Sequence, residues 1–286
     1  MDDTADERSD VVAVLDVQDD GPGRYVAAPH LEAGRRVVEG SQMLAQSIVA
    51  AGRMAPGRRP VSVWMAFLRV ADGTLPLEFE LETLTNGRTF SAFRIDVRQG
   101  ERLCASGNIL LDVTAPDVFR HHVECPEVTP PAECEPIEVG VRGQEARVVD
   151  GAFSGDPNAP VGPPEIDAWV RYAEVPDDPC VHAALLAQFS GHLSIAAAFR
   201  PHPGHGQDEA HQSLSTAVNA ISLSLHAEVR ADHWMLYRHL STFAGDGMTH
   251  SECRVHDEAG ALLASFSVDG MVRELATAGI DANRVL

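Results

Sequence analysis

The chain has 286 residues, a formal net charge of −20 and 22 basic residues, every one of them Arg. An acidic balance of this size excludes an unpatterned binder of nucleic acid or of anionic membranes, since both surfaces would repel it. Without a Lys the chain cannot form a Schiff base, anchor pyridoxal or supply the Lys of a phosphate-binding loop.

The N-terminus, Met1 to Glu7, is acidic where a secretory signal would be basic. No apolar run approaches the roughly 20 residues that span a bilayer, so no membrane partner is expected. The first helix is expected over Gly40 to Gly52, with apolar residues at Met43, Leu44, Ile48 and Ala51 and with Gly52 as its stop. Strands follow over Val61 to Val70 and over Leu77 to Glu82, whose strict alternation marks one wet face. Asn86-Gly87 is a turn signal, and Phe90 to Arg98 and Arg102 to Val113 read as two further strands.

Thr114 to Pro179 is rich in Pro, Asp, Glu and Gly and reads as a connector. Its apolar pieces, Ile137 to Val141 and Ala168 to Tyr172, suit edge strands packed on the domains. A second helix is expected over Val181 to Phe199, then strands over Ser215 to His226, His233 to Ser241, Met248 to His256 and Ala261 to Val272.

The second series repeats the first. Asn86-Gly87-Arg88-Thr89-Phe90-Ser91-Ala92-Phe93-Arg94 returns about 160 residues later as Asp246-Gly247-Met248-Thr249-His250-Ser251-Glu252-Cys253-Arg254, keeping Gly, Thr, Ser and Arg in step. The helices are offset by less, so the second copy holds an insertion, most simply the polar loop His202 to Gln212. The repeat divides the chain into an N-terminal domain over 11–113, the connector over 114–179 and a C-terminal domain over 180–274. A helix followed by antiparallel strands, twice, is an α+β pattern in which each helix covers one face of its sheet.

Five scattered cysteines, Cys104, Cys125, Cys134, Cys180 and Cys253, include no C-x-x-C pair and fit free thiols in a reducing cytoplasm. Thirteen histidines raise a metal reading, above all His202, His205 and His211 with Asp208 and Glu209. That segment is a polar, Gly-containing loop, and an exposed loop without metal is expected there. No G-x-S-x-G, dinucleotide-binding G-x-G-x-x-G or H-E-x-x-H motif is present.

These pieces resemble the type II acyl-CoA thioesterases, which have a double hotdog fold. Gly40-Ser41-Gln42-Met43-Leu44-Ala45-Gln46 is similar to the family's G-G-Q-x-x-x-Q helix start. Phe67-Leu68-Arg69 is similar to its F-L-R strand, and Glu82-Thr83-Leu84 with Gly87, Phe90 and Ser91 to its E-T-L-x-x-G-x-x-F-S hairpin. In the second half Val175-Pro176-Asp177-Asp178, His182, Pro201-His202, His226, Trp234 to Tyr237, Ser241-Thr242 and Gly270 to Arg273 keep the family's order. The D-x-N-P-x-H loop of hotdog hydratases has no counterpart.

The resemblance implies an acyl-CoA substrate, hydrolysis to the free acid and CoA, and no metal or organic cofactor. It also implies an Asp, Thr and Gln that together activate a water in the second half. The Thr falls on Thr242. The Asp position falls on Ala220, beside Asn219, and the Gln position on Val268, between Ser267 and Asp269. One residue along a strand reverses the face, so Asn219 or Asp269 substitutes only through a bulge or a register change.

Thioester hydrolysis needs an oriented water, an acceptor for its proton and donors at the developing oxyanion. Gly40 and Ser41, at the start of the first helix, either offer amides to the acyl carbonyl or are small for packing on the sheet. Thr242 reads as a catalytic hydroxyl or as a β-branched sheet residue, and Asn219 as a water-orienting or a strand-edge amide. Glu82, at Thr242's place in the first copy, reads as part of a solvated face with Glu78 and Glu80. Two functions follow: a thioesterase with Thr242, Asn219, Gly40 and Ser41 at its site, or a non-catalytic acyl-CoA or acyl-chain binding paralogue that lost the Asp and Gln. Half-exposed strands lead to an expected homo-oligomer.

Overall fold

The computed structural model describes residues 10–30 and 36–275, so the acidic start Met1 to Glu7 lies outside the described residues. The first half holds α1 (Val11–Leu15), β1 (Gln18–Asp19), β2 (Arg24–Ala27), β3 (Val37–Val38), α2 (Gly40–Met54) and β4 (Arg59–Phe67). It continues with β5 (Ala71–Asp72), β6 (Leu77–Asn86), β7 (Phe90–Gln99) and β8 (Arg102–Asp112). The second half holds β9 (Glu135–Ile137), β10 (Gln144–Val148), β11 (Glu165–Tyr172), α3 (Pro179–Gln188) and α4 (Ser194–Phe199). It ends with β12 (Leu214–Leu225), β13 (Met235–Gly245), β14 (Met248–Asp257) and β15 (Leu262–Glu274).

Thirteen strands form one antiparallel sheet in the order β1-β2-β6-β7-β8-β4-β12-β15-β14-β13-β11-β10-β9. The order reads the same outward from its centre: β4 and β12 meet there, followed on either side by β8 and β15, β7 and β14, β6 and β13, then β2 and β11. The central seam pairs Met65 with Ile221 and Val63 with Leu223, all buried, which makes two half-sheets one. This is a double hotdog, with α2 and α3 lying together against the sheet.

Burial explains the helices. In α2 every residue from Ser41 to Ala51 is buried, because sheet and α3 enclose it from both sides. Each fully buried Leu or Ile, such as Leu44 and Ile48, contributes about 1.5–3 kcal/mol. Gly52 does not end α2, which runs on to Met54. Its role is close packing: a Cβ there would sit 2.5 Å from the Cys180 Sγ of α3.

The second helix is two. After α3 the chain makes a tight turn over Phe189–Gly191, and Leu193 takes a left-handed φ of 62° before α4 begins. By length and composition Pro179–Phe199 could cross a membrane, contrary to the reading of the sequence, but most of it is buried inside the fold. The connector also proves more integral than a linker. β11 pairs with β13 from Glu165↔Leu240 to Val170↔Met235, and Tyr172 donates from Oη to the Leu185 carbonyl of α3 at 2.8 Å.

The hairpins differ in their turns. Asp246 and Gly247 have φ of 54° and 74°, a two-residue turn, whereas Asn86 pairs with Ser91 across a longer loop. With β7 laid on β14 through the repeated motif, Thr83↔Phe93 matches His239↔Cys253. Past the bulge at Leu84, Asn86↔Ser91 matches Ser241↔Ser251 and Glu82↔Arg94 matches Arg238↔Arg254, so Thr242, the bulge residue of β13, has no paired counterpart in the first copy and does not correspond to Glu82. Glu82 pairs with Arg94 on an exposed part of the sheet.

Candidate active site

A cavity of about 510 Å³ opens where the two halves meet. The start of α2 provides Glu39, Gly40 and Ser41, the end of β4 provides Phe67, the α3–α4 loop provides His192 and β12 provides Asn219. The first amides of any helix lack intrahelical acceptors, and the helix dipole places positive potential there. No side chain caps this end of α2.

Close contacts fix its shape. A Cβ on Gly40 would fall 2.9 Å from the Phe67 ring, so glycine lets that ring lie across the helix start. A Cβ on Gly191 would fall 2.8 Å from the Ser41 Oγ, so glycine also lets the α3–α4 loop press on the same turn. Ser41 is 1% exposed, and its Oγ is buried without a hydrogen-bond partner. A buried hydroxyl without a partner costs about 1–3 kcal/mol, and the structure bears that cost where Gly191 covers the oxygen.

Asn219 reaches the cavity because β12 is irregular. The ladder with β15 pairs Val218 with Gly270 and Ala220 with Asp269, leaving Asn219 as the extra residue of a bulge. Its Nδ2 contacts the Met248 sulfur at 3.9 Å. The amide carbonyl is then the group suited to accept from water.

Asn219, Gly40 and Ser41 thus come together, and Thr242 stands apart. Thr242 is the exposed bulge residue of β13, its Oγ1 lies 3.4 Å from the His250 carbonyl, and it does not line the cavity. Asp269 is directed to His250, whose Nδ1 lies 2.7 Å away. Val268 is 1% exposed and packs in the core. Gln46, part of the helix-start motif, is structural: its Nε2 donates to the Val14 carbonyl at 2.7 Å and ties α1 to α2.

Two cavity residues had no signal in the sequence. His192 Nε2 lies 3.3 Å from Glu39 Oε2, joining the halves, and its ring stacks on Phe189 with centroids 4.8 Å apart. Behind this loop His239 is fully buried, and burial, with a smaller contribution from His192, pushes its pKa down to about 3. Ser194 Oγ lies 3.3 Å from its Nδ1. Arg36 and Arg69 line the cavity and are exposed, placing positive charge there in an otherwise acidic protein.

The histidine loop forms no comparable site. His205 pairs with Glu209 at 3.0 Å, and Glu209 also accepts from the Gly206 amide. Among the described residues no group of three or more His, Cys, Asp or Glu side chains is placed to hold a metal ion.

A continuous double hotdog with a helix-start cavity at its centre defines the class, and comparison with known proteins supplies the family. The model for the acyl-CoA thioesterase N-terminal domain matches residues 28–111, and that for the acyl-CoA thioesterase C-terminal domain matches residues 122–270. The chain belongs to the acyl-CoA thioesterase family. It is 27% identical over 263 residues to acyl-CoA thioesterase 2 of Haemophilus influenzae, covering 84% of this chain and 89% of that protein. It is 25% identical over 261 residues to human acyl-coenzyme A thioesterase 8, covering 82% of this chain and 80% of that protein. Among solved structures, the tesB protein of Mycobacterium avium subspecies paratuberculosis superposes with a TM-score of 0.78 at 26% identity, covering 92% of this chain and 98% of that one.

Proposed function

We propose that this chain hydrolyses acyl-CoA thioesters to the free acid and CoA in the cavity between its two halves. The observation that carries the reading is the uncapped start of α2, which lines the same cavity as Asn219. The thioester carbonyl oxygen sits at the helix start, where the first amides and the helix dipole stabilise the developing oxyanion. Asn219 accepts a hydrogen bond from the attacking water. The acyl chain lies along Met43, Leu193, Ile195 and Ala196, and Arg36 and Arg69 meet the phosphates of CoA.

The test is thiol release from purified protein mixed with short, medium and long acyl-CoAs. The expected result is thiol release with at least one chain length, and no release with any chain length would overturn the proposal. The second reading, a binding paralogue without turnover, is favoured by the apolar residues Ala220 and Val268 at the positions of the family's Asp and Gln. Measurable binding without release would establish it.

The proposal extends to a homo-oligomer in the cytoplasm. Trp64, 46% exposed in the central strand β4, supports the first, and five free thiols support the second. Sedimentation as a strict monomer would count against association.

A further inference from the structure

Hydrolysis in this cavity requires a proton acceptor stronger than an amide or a hydroxyl, and neither Ala220 nor Val268 supplies one. The cavity does contain a carboxylate. Glu39 immediately precedes α2, lines the same space as Gly40, Ser41 and Asn219, and its side chain is 24% exposed. It is held from the other half of the molecule by His192, whose Nε2 lies 3.3 Å from Oε2.

The loop that carries His192 is built to keep it there. Gly191 presses on Ser41, the ring stacks flat on buried Phe189, and Leu193 takes up a left-handed backbone that costs a non-glycine residue energy. Strain of this kind persists only where surrounding contacts fix it.

We propose that Glu39 is the general base of this chain, with His192 as the positioning residue that aims its carboxylate. The inference rests on the hydrolytic reading above. Glu39 takes one proton from the water that Asn219 orients, and the water oxygen bonds to the thioester carbonyl carbon. The tetrahedral intermediate collapses by breaking the C–S bond. The departing thiolate receives the proton from Glu39, which leaves a carboxylic acid and CoA thiol. His192 touches no reacting atom. It supplies a donor to Glu39 and fixes one rotamer of a flexible side chain.

The experiment compares wild type with Glu39→Gln, Glu39→Asp and His192→Ala, measuring kcat and KM for acyl-CoA hydrolysis and the affinity for a non-hydrolysable thioether analogue of the same acyl-CoA. Glu39→Gln keeps the shape and removes the proton acceptor, so kcat is expected to fall by about 100-fold or more. Its KM and analogue affinity are expected to stay within about threefold of wild type. Glu39→Asp is expected to retain a measurable part of the rate, and His192→Ala to lose about tenfold in kcat. Retained analogue binding shows that each variant is folded. Hydrolysis by wild type together with an unimpaired Glu39→Gln would overturn the assignment and leave the thioesterase reading standing. Equal losses in kcat and analogue affinity in both Glu39 variants would assign Glu39 a structural role and also overturn it. A wild type that binds the analogue and releases no thiol would overturn the hydrolytic reading itself, and the base with it.

Discussion

Gly191 and Ser41 come from opposite halves of the chain and touch so closely that a Cβ on Gly191 would lie 2.8 Å from the Ser41 Oγ. The contact closes the cavity at the start of α2 and sets the loop that presents His192. Gly191→Ala should force the loop away from α2, with an overpacking cost of about 1–3 kcal/mol. The expected outcome is a lower urea midpoint and loss of most thioesterase activity. Chemical denaturation and steady-state kinetics on the same preparation check it, and a variant with unchanged kcat would show that the loop does not set the site.

Asn219 enters the cavity only through the bulge that separates the Val218 and Ala220 pairings. Its carbonyl is assigned to orient water, so Asn219→Ala should lower kcat by about 10- to 100-fold with a smaller change in KM. Ala220 pairs with Asp269, and Asp269 sits against His250. Ala220→Asp would therefore place its carboxylate among these charged groups, and it should not raise the rate. A large gain from Ala220→Asp, measured by thiol release, would place the reacting water on that part of the sheet.

Thr242 provides the complementary control. It is exposed, it occupies the bulge of β13, and its hydroxyl reaches only a backbone carbonyl at 3.4 Å. With the chemistry in the central cavity, Thr242→Ala should keep kcat within about threefold and stability within about 0.5 kcal/mol. A loss of more than about 30-fold would instead move the reacting atoms to β13.

The contrast between Asn219 and Thr242 shows which parts of this protein could be read from its residues. Periodicity and the Gly-x-Thr-x-Ser-x-x-Arg repeat report local backbone structure, so the duplication, the central strands and α2 were legible. The helix start at Gly40 was legible as well, because its small residues have a local cause. Bulges were not. The one that admits Asn219 to the cavity depends on pairing β12 with β15, about 50 residues further on. The match of Thr242 to Glu82 failed for the same reason, since the two hairpins turn differently and strand register follows the turn. Glu39 and His192 were silent because a lone acid before a helix and a lone His in an alanine-rich stretch acquire meaning only when the halves bring them 3.3 Å apart. The break between α3 and α4 rests on the left-handed Leu193, and leucine does not announce that conformation.

Buried histidine makes stability depend on pH in a direction that can be worked out. Burial lowers the pKa of His239 to about 3, from an ordinary value of 6.5, and it also lowers that of the buried His256. The unfolded chain takes up protons at these rings as pH falls below about 6.5, while the folded chain keeps His239 neutral down to about 3. Stability is therefore complete above the unfolded value and declines with acidification. His239 alone accounts for about 2 kcal/mol lost between pH 7.5 and pH 5. Above pH 5 most carboxylates remain ionised, so this interval isolates the histidine contribution. Urea midpoints measured at pH 7.5, 6.5, 5.5 and 5 should fall progressively, and His239→Gln should flatten the decline. A wild-type midpoint that holds constant across the series would mean that the ring accepts a proton inside the fold, where Ser194 and the stacked Tyr237 offer no charge to balance it.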